Sequence, residues 1–262
     1  MTDLLTLPVA IYPDLAGKVA VVTGGSKGIG AATCRLLAVN GAKVAVVARD
    51  KSGIDPLVGE LSAGGADAIG VSANLVNSAD VKTMRDEVEE RLGVVDILVA
   101  FAGGFGHHTP IWEIEEEEWQ FVIESNLTST FLTCKAFLPG MIERRRGAIV
   151  TMASNGGRFL DIPLTASYAA AKAGIVMFTR HVAREVGAFG VRANCVAPAT
   201  VLSERIKRIL TPERIAEIAA MSPLGRIGLP EDVAAATVFL VSDSSSWLTG
   251  VTIDVAGGRI ML

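Results

Sequence analysis

Short, wholly apolar runs alternate with longer amphipathic segments along this 262-residue chain, and this alternation constrains the fold most. Five runs are predicted as buried strands, at residues 19–22, 44–47, 97–100, 148–150 and 191–196. Four segments between them are predicted as helices, at residues 31–39, 79–92, 115–142 and 168–189. Continuous apolar strands separated by helices are typical of a parallel sheet covered on both faces. The sequence therefore predicts an α/β, doubly wound fold.

Nothing in the sequence divides the chain, so we expect one domain over residues 1–262. A polar, arginine-rich piece at about 200–223 interrupts the alternation, and we expect it to form a substrate lid. No apolar stretch approaches the length of a membrane span, and residues 1–13 do not resemble a secretory signal. We therefore expect a cytoplasmic protein that does not act on membranes.

Charge and cysteine content argue against several functions. A net charge of −4 offers no basic surface, which makes nucleic acid an unexpected partner. The basic run at 144–146 and the acidic run at 115–118 are expected to be a solvated helix end and a solvated helix start. Cys34, Cys134 and Cys195 are far apart in apolar segments, so we expect reduced core thiols and neither a disulfide framework nor a metal site.

A glycine-rich turn follows the first predicted strand and leads into the next helix. Glycines at this junction let the backbone turn tightly and approach a pyrophosphate, while the helix start offers unpaired N–H groups. A tight turn without a ligand is the alternative, but the spacing and position favour dinucleotide binding. The residues predicted to contact the cofactor here are Gly24, Ser26, Lys27, Gly28, Ile29 and Gly30.

Tyr168 and Lys172 are four residues apart on a predicted helix, so their side chains project from one face. Such a pair also arises by chance on helices that simply face solvent. Ser154 follows the strand predicted at 148–150, and Asn126 lies in mid-helix, where asparagine is unfavourable unless its amide has a role. A turn serine and an ordinary polar helix position are the alternatives for these two residues.

The turn with Gly24, Gly28 and Gly30, together with Tyr168 and Lys172, resembles the short-chain dehydrogenase/reductase family. The resemblance extends over nearly the whole chain, including 223–233 and the final Gly257-Gly258. Extended sugar-nucleotide epimerases space their glycines differently, and enoyl reductases separate Tyr and Lys more widely. The resemblance implies a Rossmann fold, a homotetramer packed through the helices near 115–142 and 168–189, and a catalytic set of Asn126, Ser154, Tyr168 and Lys172.

The resemblance also places the cofactor. Ala48 stands where NAD-preferring relatives have an acidic residue, and Arg49 and Lys27 lie where a 2′-phosphate would sit, so we expect NADP(H) to be preferred over NAD(H). The alternative is that both cations are merely solvated and that Asp50 partly neutralises them. The remaining cofactor contacts implied are Asn74, Leu75, Ala102, Gly103, Tyr168, Lys172, Pro198, Ala199, Val201 and Ser203. Three departures from the family pattern, Ala100-Phe101, Ala199 and Ala256, bear on loop geometry and affinity.

The implied reaction transfers hydride between nicotinamide and a carbonyl or secondary alcohol, with Ser154 polarising the oxygen and Tyr168 moving the proton. We expect the Lys172 ammonium to favour the phenolate, and Asn126 to hold a water of a proton relay. Reduction of a 3-oxoacyl thioester is one candidate activity among steroids, cyclic ketones, sugars and secondary alcohols. A cofactor-binding regulatory or scaffold protein without turnover is the alternative. The predicted pocket residues are Phe105, Phe159, Leu202, Ile206 and Met221, with His107 or His108 as polar contacts.

Overall fold

The computed structural model describes residues 9–105, 109–159 and 164–261. Seven strands form one parallel sheet in the order β3-β2-β1-β4-β5-β6-β7. The strands are β1 (Val19–Thr23), β2 (Lys43–Ala48), β3 (Ala68–Ser72), β4 (Val95–Ala100), β5 (Gly147–Met152), β6 (Val191–Pro198) and β7 (Thr252–Val255). The described helices are α1 (Gly28–Val39), α2 (Lys51–Ala63), α3 (Ser78–Leu92), α4 (Glu116–Ile123), α5 (Ser129–Glu143), α6 (Ala166–Val186), α7 (Glu204–Ile209), α8 (Pro212–Ala220) and α9 (Pro230–Val241).

The central strands are buried on both faces, which explains their unbroken apolar sequences. Every residue of β1 and of β4 is buried. Along β1, Ala20 and Val22 pack into one core and Val19 and Val21 into a second core, because successive side chains of a strand point to opposite faces. The prediction of a doubly wound α/β fold is therefore confirmed.

Each core is closed by its own set of helices. α1, α2 and α9 bury residues such as Leu37, Ile54 and Val233 in the first core. α3, α5 and α6 bury residues such as Met84 and Phe137 in the second core. The chain moves outward from β1 to β3 and then returns to β4 on the other side of β1, so a crevice opens between the carboxyl ends of β1 and β4.

The two edge strands are absent from the sequence-based prediction. β3 contains Gly70 and is only partly buried, and β7 has four half-buried residues, so neither forms a fully buried apolar run. Helices α2 and α9 were likewise not predicted. The helix predicted over 115–142 is interrupted by a π-helical turn at Glu124–Thr128, and the one predicted over 168–189 begins two residues earlier and ends at Val186.

The structure also bears on the expectations for the cysteines, the basic run and membrane spans. All three cysteines are buried and free. The basic run does follow the end of α5, but it is more than a solvated end: Arg144 donates to the Val95 carbonyl at 2.6 Å and Arg146 forms a 2.6 Å ion pair with the buried Asp96. In the part of the chain that the structure describes, no helix is long and apolar enough to cross a membrane.

Candidate active site

The glycine turn after β1 is a backbone cradle at the head of the crevice. Gly24 and Gly28 have φ values of 65° and 53°, which L side chains rarely adopt. A side chain at Gly30 would collide with the Gly24 carbonyl oxygen, so α1 and the turn can approach only through glycine. Lys27, the residue before α1, makes no side-chain cap, which leaves the first N–H groups of the helix available. This cradle fits a dinucleotide pyrophosphate.

Thr23 ties the end of β1 to the segment after β4. Its Oγ1 accepts the backbone N–H groups of Phe101 and Ala102 at 3.1 and 3.2 Å. Phe101, which departs from the family pattern, is buried in the first core. Gly103, with φ 152°, lies against Asn126, and a side chain there would collide with the Asn126 Oδ1. The predicted contacts Ala102 and Gly103 thus lie between the glycine turn and the catalytic residues.

Asn126 lies in the π-helical turn and is completely buried. Its side-chain nitrogen donates to the Gly104 carbonyl at 2.7 Å and to the Val122 carbonyl at 2.9 Å. Its Oδ1 is buried and accepts no hydrogen bond from the described residues. π-helical turns are frequent at functional sites, and a buried amide oxygen without a donor is a place where an ordered water fits. The observed geometry is compatible with the predicted water-holding role.

Ser154 is brought to α6 by a close backbone approach. It precedes a 3-10 turn at Asn155–Gly157, and its Oγ accepts the Gly156 N–H at 3.2 Å. A side chain at Gly157 would lie 2.6 Å from the carbonyl carbon of Lys172, so only glycine lets this turn pack on the helix. The Ser154 hydroxyl therefore lies beside the first turns of α6, close enough to interact with the Tyr168 phenol.

Tyr168 and Lys172 are held by the start of α6 and by the end of β5. Thr165 caps the helix, and its Oγ1 accepts the Tyr168 N–H at 3.1 Å. The Lys172 Nζ donates to the Met152 carbonyl at 2.9 Å and lies 5.5 Å from the centroid of the Tyr168 ring. Ser154, Tyr168 and Lys172 thus converge at the carboxyl end of β5.

Burial controls the ionisation of both groups. It lowers the pKa of Lys172 from 10.5 to about 8, because the buried ammonium loses its hydration. It raises the pKa of the Tyr168 phenol, and the hydrogen bond with Ser154 opposes this only in part. The Lys172 ammonium lies 5.5 Å from the ring centroid, and its expected role in favouring the phenolate stays a prediction. The Tyr168 phenol is therefore held in its protonated form, which can donate a proton.

The far end of the crevice carries two exposed cations, Arg49 and Lys27. The Asp50 carboxylate caps α2, accepting the N–H of Ser52 at 3.0 Å and its hydroxyl at 2.8 Å, and it also interacts electrostatically with Lys27. No described carboxylate forms an ion pair with Arg49 or Lys27. Ser26 and Lys27 pack beside the start of α2, where a side chain at Gly53 would lie 3.1 to 3.2 Å from them.

The remaining residues that the family resemblance implies as cofactor contacts lie just after the ends of strands. After β3, Asn74 is exposed and Leu75 is buried. After β6, the Ala199 N–H donates to the Val255 carbonyl at 3.2 Å, and Val201 forms a bridge with Gly228. Pro198 closes β6. Ser203 caps α7 through its hydroxyl, and its Cβ would be 3.6 Å from a side chain at Gly28. The start of the predicted lid thus lies directly over the glycine turn.

The predicted substrate pocket is only partly described. Phe105, Phe159 and Met221 are exposed, while Leu202 and Ile206 are partly buried. His107 and His108 lie outside the described residues. Within residues 9–105, 109–159 and 164–261, no cluster of three or more His, Cys, Asp or Glu side chains could hold a metal ion.

Two features of the site were missed by sequence reasoning. Thr165, at the N-cap position three residues before Tyr168, could have been recognised from helix-capping rules. The contact between Phe105 and Arg205, where Cζ lies 4.3 Å from the ring centroid, joins segments a hundred residues apart and has no local signal.

Three features together are typical of a nicotinamide-dependent oxidoreductase. They are the doubly wound parallel sheet, the uncapped glycine turn after β1, and the set of Ser, Tyr and Lys at the end of β5. Comparison with known proteins identifies the family. A family model described as "Enoyl-(Acyl carrier protein) reductase" matches residues 24–259. The chain belongs to the short-chain dehydrogenase/reductase family and is an NAD(P)-dependent oxidoreductase acting on CH–OH or C=O groups.

Similar proteins within the family are named for different activities. The chain is 39% identical over 249 residues to a 3-oxoacyl-[acyl-carrier-protein] reductase of Vibrio cholerae, covering 95% of this chain and all of that protein. It is 38% identical over 251 residues to 2-(S)-hydroxypropyl-CoM dehydrogenase 3 of Xanthobacter autotrophicus, covering 93% and 97%. A solved 3-oxoacyl-[acyl-carrier protein] reductase with bound NAD from Brucella melitensis superimposes with a TM-score of 0.90 at 31% identity, covering 98% of each chain.

Proposed function

We propose that this protein is an NADP(H)-dependent reductase of a small-molecule carbonyl, in which Tyr168 delivers the proton. The observation that carries the proposal is the convergence of Ser154, Tyr168 and Lys172 at the carboxyl end of β5. The raised pKa of the phenol favours the reductive direction, because a general acid must be protonated before the reaction. Reduction of a 3-oxoacyl thioester is the candidate that the Vibrio relative supports.

Each of the chain's own residues has a distinct part in this mechanism. The bound nicotinamide supplies the hydride. Ser154 donates a hydrogen bond to the carbonyl oxygen as negative charge develops there, and Tyr168 gives that oxygen its proton. Lys172 stays largely charged at neutral pH, because its pKa is about 8, so it can stabilise the phenolate left behind. Asn126, through its buried Oδ1, holds the water that connects Lys172 with solvent.

The preference for NADP(H) over NAD(H) is also part of the proposal. Arg49 and Lys27 form no ion pair with a described carboxylate, although Asp50 interacts electrostatically with Lys27, and Ala48 places no acidic side chain at the end of β2. A 2′-phosphate would form charge-assisted hydrogen bonds with both cations. The bound NAD in the Brucella structure belongs to that protein, so the preference of this chain requires its own measurement.

A regulatory or scaffold protein that binds cofactor without turnover is the second candidate. It predicts that cofactor binding is retained while no carbonyl is reduced. The presence of Asn126, Ser154, Tyr168 and Lys172 in one site speaks against it, because cofactor binding alone does not need a buried proton donor beside a polarising hydroxyl.

The test measures NADPH and NADH consumption with a panel of carbonyl substrates. We expect turnover with NADPH, a fall of about a hundredfold or more in kcat for Tyr168→Phe, and unchanged NADPH binding by tryptophan quenching. Tyr12→Phe is the matched control, because Tyr12 is the only other tyrosine and packs against the first core. Arg49→Ala should raise KM for NADPH but not for NADH. Full turnover by Tyr168→Phe would exclude the proposed proton donor.

We also propose that the protein is a cytoplasmic homotetramer and that 200–223 closes as a lid over one catalytic domain. Exposed apolar side chains on the helices expected to pack between subunits support the assembly, namely Phe121, Phe131 and Met177. Met261 could extend that surface, whereas Leu262 lies outside the described residues. Light scattering combined with size-exclusion chromatography gives the mass in solution, and a monomer mass would exclude the assembly.

A further inference from the structure

Arg205 contacts one aromatic ring, and that ring in turn contacts the catalytic tyrosine. Its Cζ lies 4.3 Å from the centroid of the Phe105 ring. Phe105 meets the catalytic Tyr168 edge to face, with ring centroids 6.0 Å apart and an interplanar angle of 82°. These two distances limit the separation between the Arg205 Cζ and the Tyr168 ring to about 10 Å, in a cation–π and aromatic chain that connects the two.

The contact with the Phe105 ring leaves the hydrogen-bond donors of the Arg205 guanidinium unused. An arginine that stacks on a ring uses the face of its planar group, whereas its N–H donors point outward in the plane. In the part of the chain that the structure describes, Arg205 forms neither an ion pair nor a side-chain hydrogen bond. Phe105 is itself 43% exposed, so the pair lies open to an incoming molecule.

Neighbouring charges on the lid helices are already paired. Glu204 forms a 2.8 Å ion pair with Lys207, and Arg214 forms a 2.6 Å ion pair with Glu217. The carboxylate nearest to Arg205 in sequence is therefore engaged elsewhere on α7. What Arg205 presents to the crevice is an oriented, positively charged set of donors, which matches a carboxylate or a phosphate.

From this geometry we infer that Arg205 and Phe105 form an anion-recognition subsite, and that the substrate carries an anionic group besides the carbonyl that Tyr168 protonates. The inference rests on the proposed reductase function and specifies its substrate class. A carboxylate a few bonds from the carbonyl presents this chemistry within the distance that separates Arg205 from Tyr168. The phosphate of a pantetheine thioester is many bonds farther from the carbonyl and meets Arg205 only if the arm folds back along the crevice. Arg205 is a specificity-determining residue that acts in binding and does not take part in the proton transfer.

The experiment uses two substrate pairs, each with an anionic and a neutral member. The first pair differs by one charge and one methyl group, whereas the second also differs by the whole outer part of the coenzyme. Acetoacetate is compared with methyl acetoacetate, which tests a carboxylate, and acetoacetyl-CoA with acetoacetyl-N-acetylcysteamine, which tests a phosphate. We expect Arg205→Gln to lower kcat/KM about tenfold for the anionic member of one pair, mainly through KM, and to leave its neutral partner unchanged. The affected pair identifies which anion is recognised.

Two further variants separate binding from structure. Arg208→Gln removes an exposed arginine from the same helix and should leave both pairs unchanged. Phe105→Leu keeps the charge but removes the orienting ring, and should weaken the same discrimination less strongly. The inference falls if Arg205→Gln affects charged and neutral partners equally or affects neither. If the wild-type protein reduces neutral ketones but Arg205 does not discriminate, the proposed function stands without the subsite; if it reduces no carbonyl, both are overturned.

Discussion

Burial of the charged Lys172 side chain costs free energy, and this cost makes the free energy of unfolding depend on pH. The side chain is 3% exposed, and burial lowers its pKa from 10.5 to about 8. A change of one in pKa corresponds to about 1.4 kcal/mol, so the buried ammonium destabilises the folded protein by about 3 kcal/mol where it is fully charged. The unfolded chain binds more protons between pH 8 and 10.5, and stability therefore rises with pH in that window.

The perturbation is Lys172→Met, which keeps an unbranched side chain but removes the titrating group. Urea unfolding of the wild type and the variant would be followed at several values from pH 7 to pH 10 and at one protein concentration. The free energy of unfolding of the variant minus that of the wild type should fall by about 2.5 kcal/mol over this range. The lost hydrogen bond to the Met152 carbonyl affects the variant equally at every pH and does not alter this slope.

Two neighbouring titratable groups could contribute to this pH dependence, so the comparison is repeated in variants that lack each of them. Tyr168 lies beside Lys172, and Cys195 acts on its charge. The same slope should be found when the comparison is repeated in Tyr168→Phe and in Cys195→Ala. A difference that stays constant from pH 7 to pH 10 would refute the burial penalty. A slope that disappears in either background would assign the pH dependence to the neighbour.

Gly30→Ala should lower both NADPH affinity and stability, the latter by about 1–3 kcal/mol, because the new methyl group collides with the Gly24 carbonyl oxygen. Chemical unfolding should meanwhile find Gly59→Ala, on the open surface of α2, unchanged or more stable by about 0.5–1 kcal/mol. Asp232→Asn should reduce stability at neutral pH but not in acid, since Arg226 holds the pKa of that carboxyl below its usual range and its stabilisation is lost as pH falls. Thermal melts of the wild type and of Asp232→Asn at neutral and at acidic pH would check this. An equal loss of melting temperature at both pH values would contradict it.

The sequence was sufficient for the central sheet because the strands buried on both faces have unbroken apolar sequences. β3 and β7 escaped prediction because an edge strand buries only part of its surface, so Gly70 or Asp254 is tolerated there. Helix α2 was missed partly because Gly53 and Pro56 lie inside it, although Asp50 gave a capping signal.

The candidate site was predictable where local chemistry carries it and not where distant segments meet. Ser154, Tyr168 and Lys172 could be proposed from spacing and family resemblance. The pKa of the phenol could not, because it depends on how deeply the folded chain buries the ring. The contact of Arg205 with Phe105 likewise depends on how α7 packs near the segment after β4.

The π-helical turn at Glu124–Thr128 sets the rotational phase between α4 and α5. A π turn contains one residue more than a regular turn, and one residue corresponds to about 100° of rotation around a helix. Side chains replace the displaced backbone bonds: Asn126 donates to the Val122 carbonyl, and Thr130 donates to the Asn126 carbonyl at 2.7 Å. Deletion of a single residue here would restore a regular helix. It would also rotate α4 relative to α5 by about 100°, so the two helices could no longer both keep the faces that they now turn toward the rest of the protein. The length of this segment is therefore as constrained as its composition.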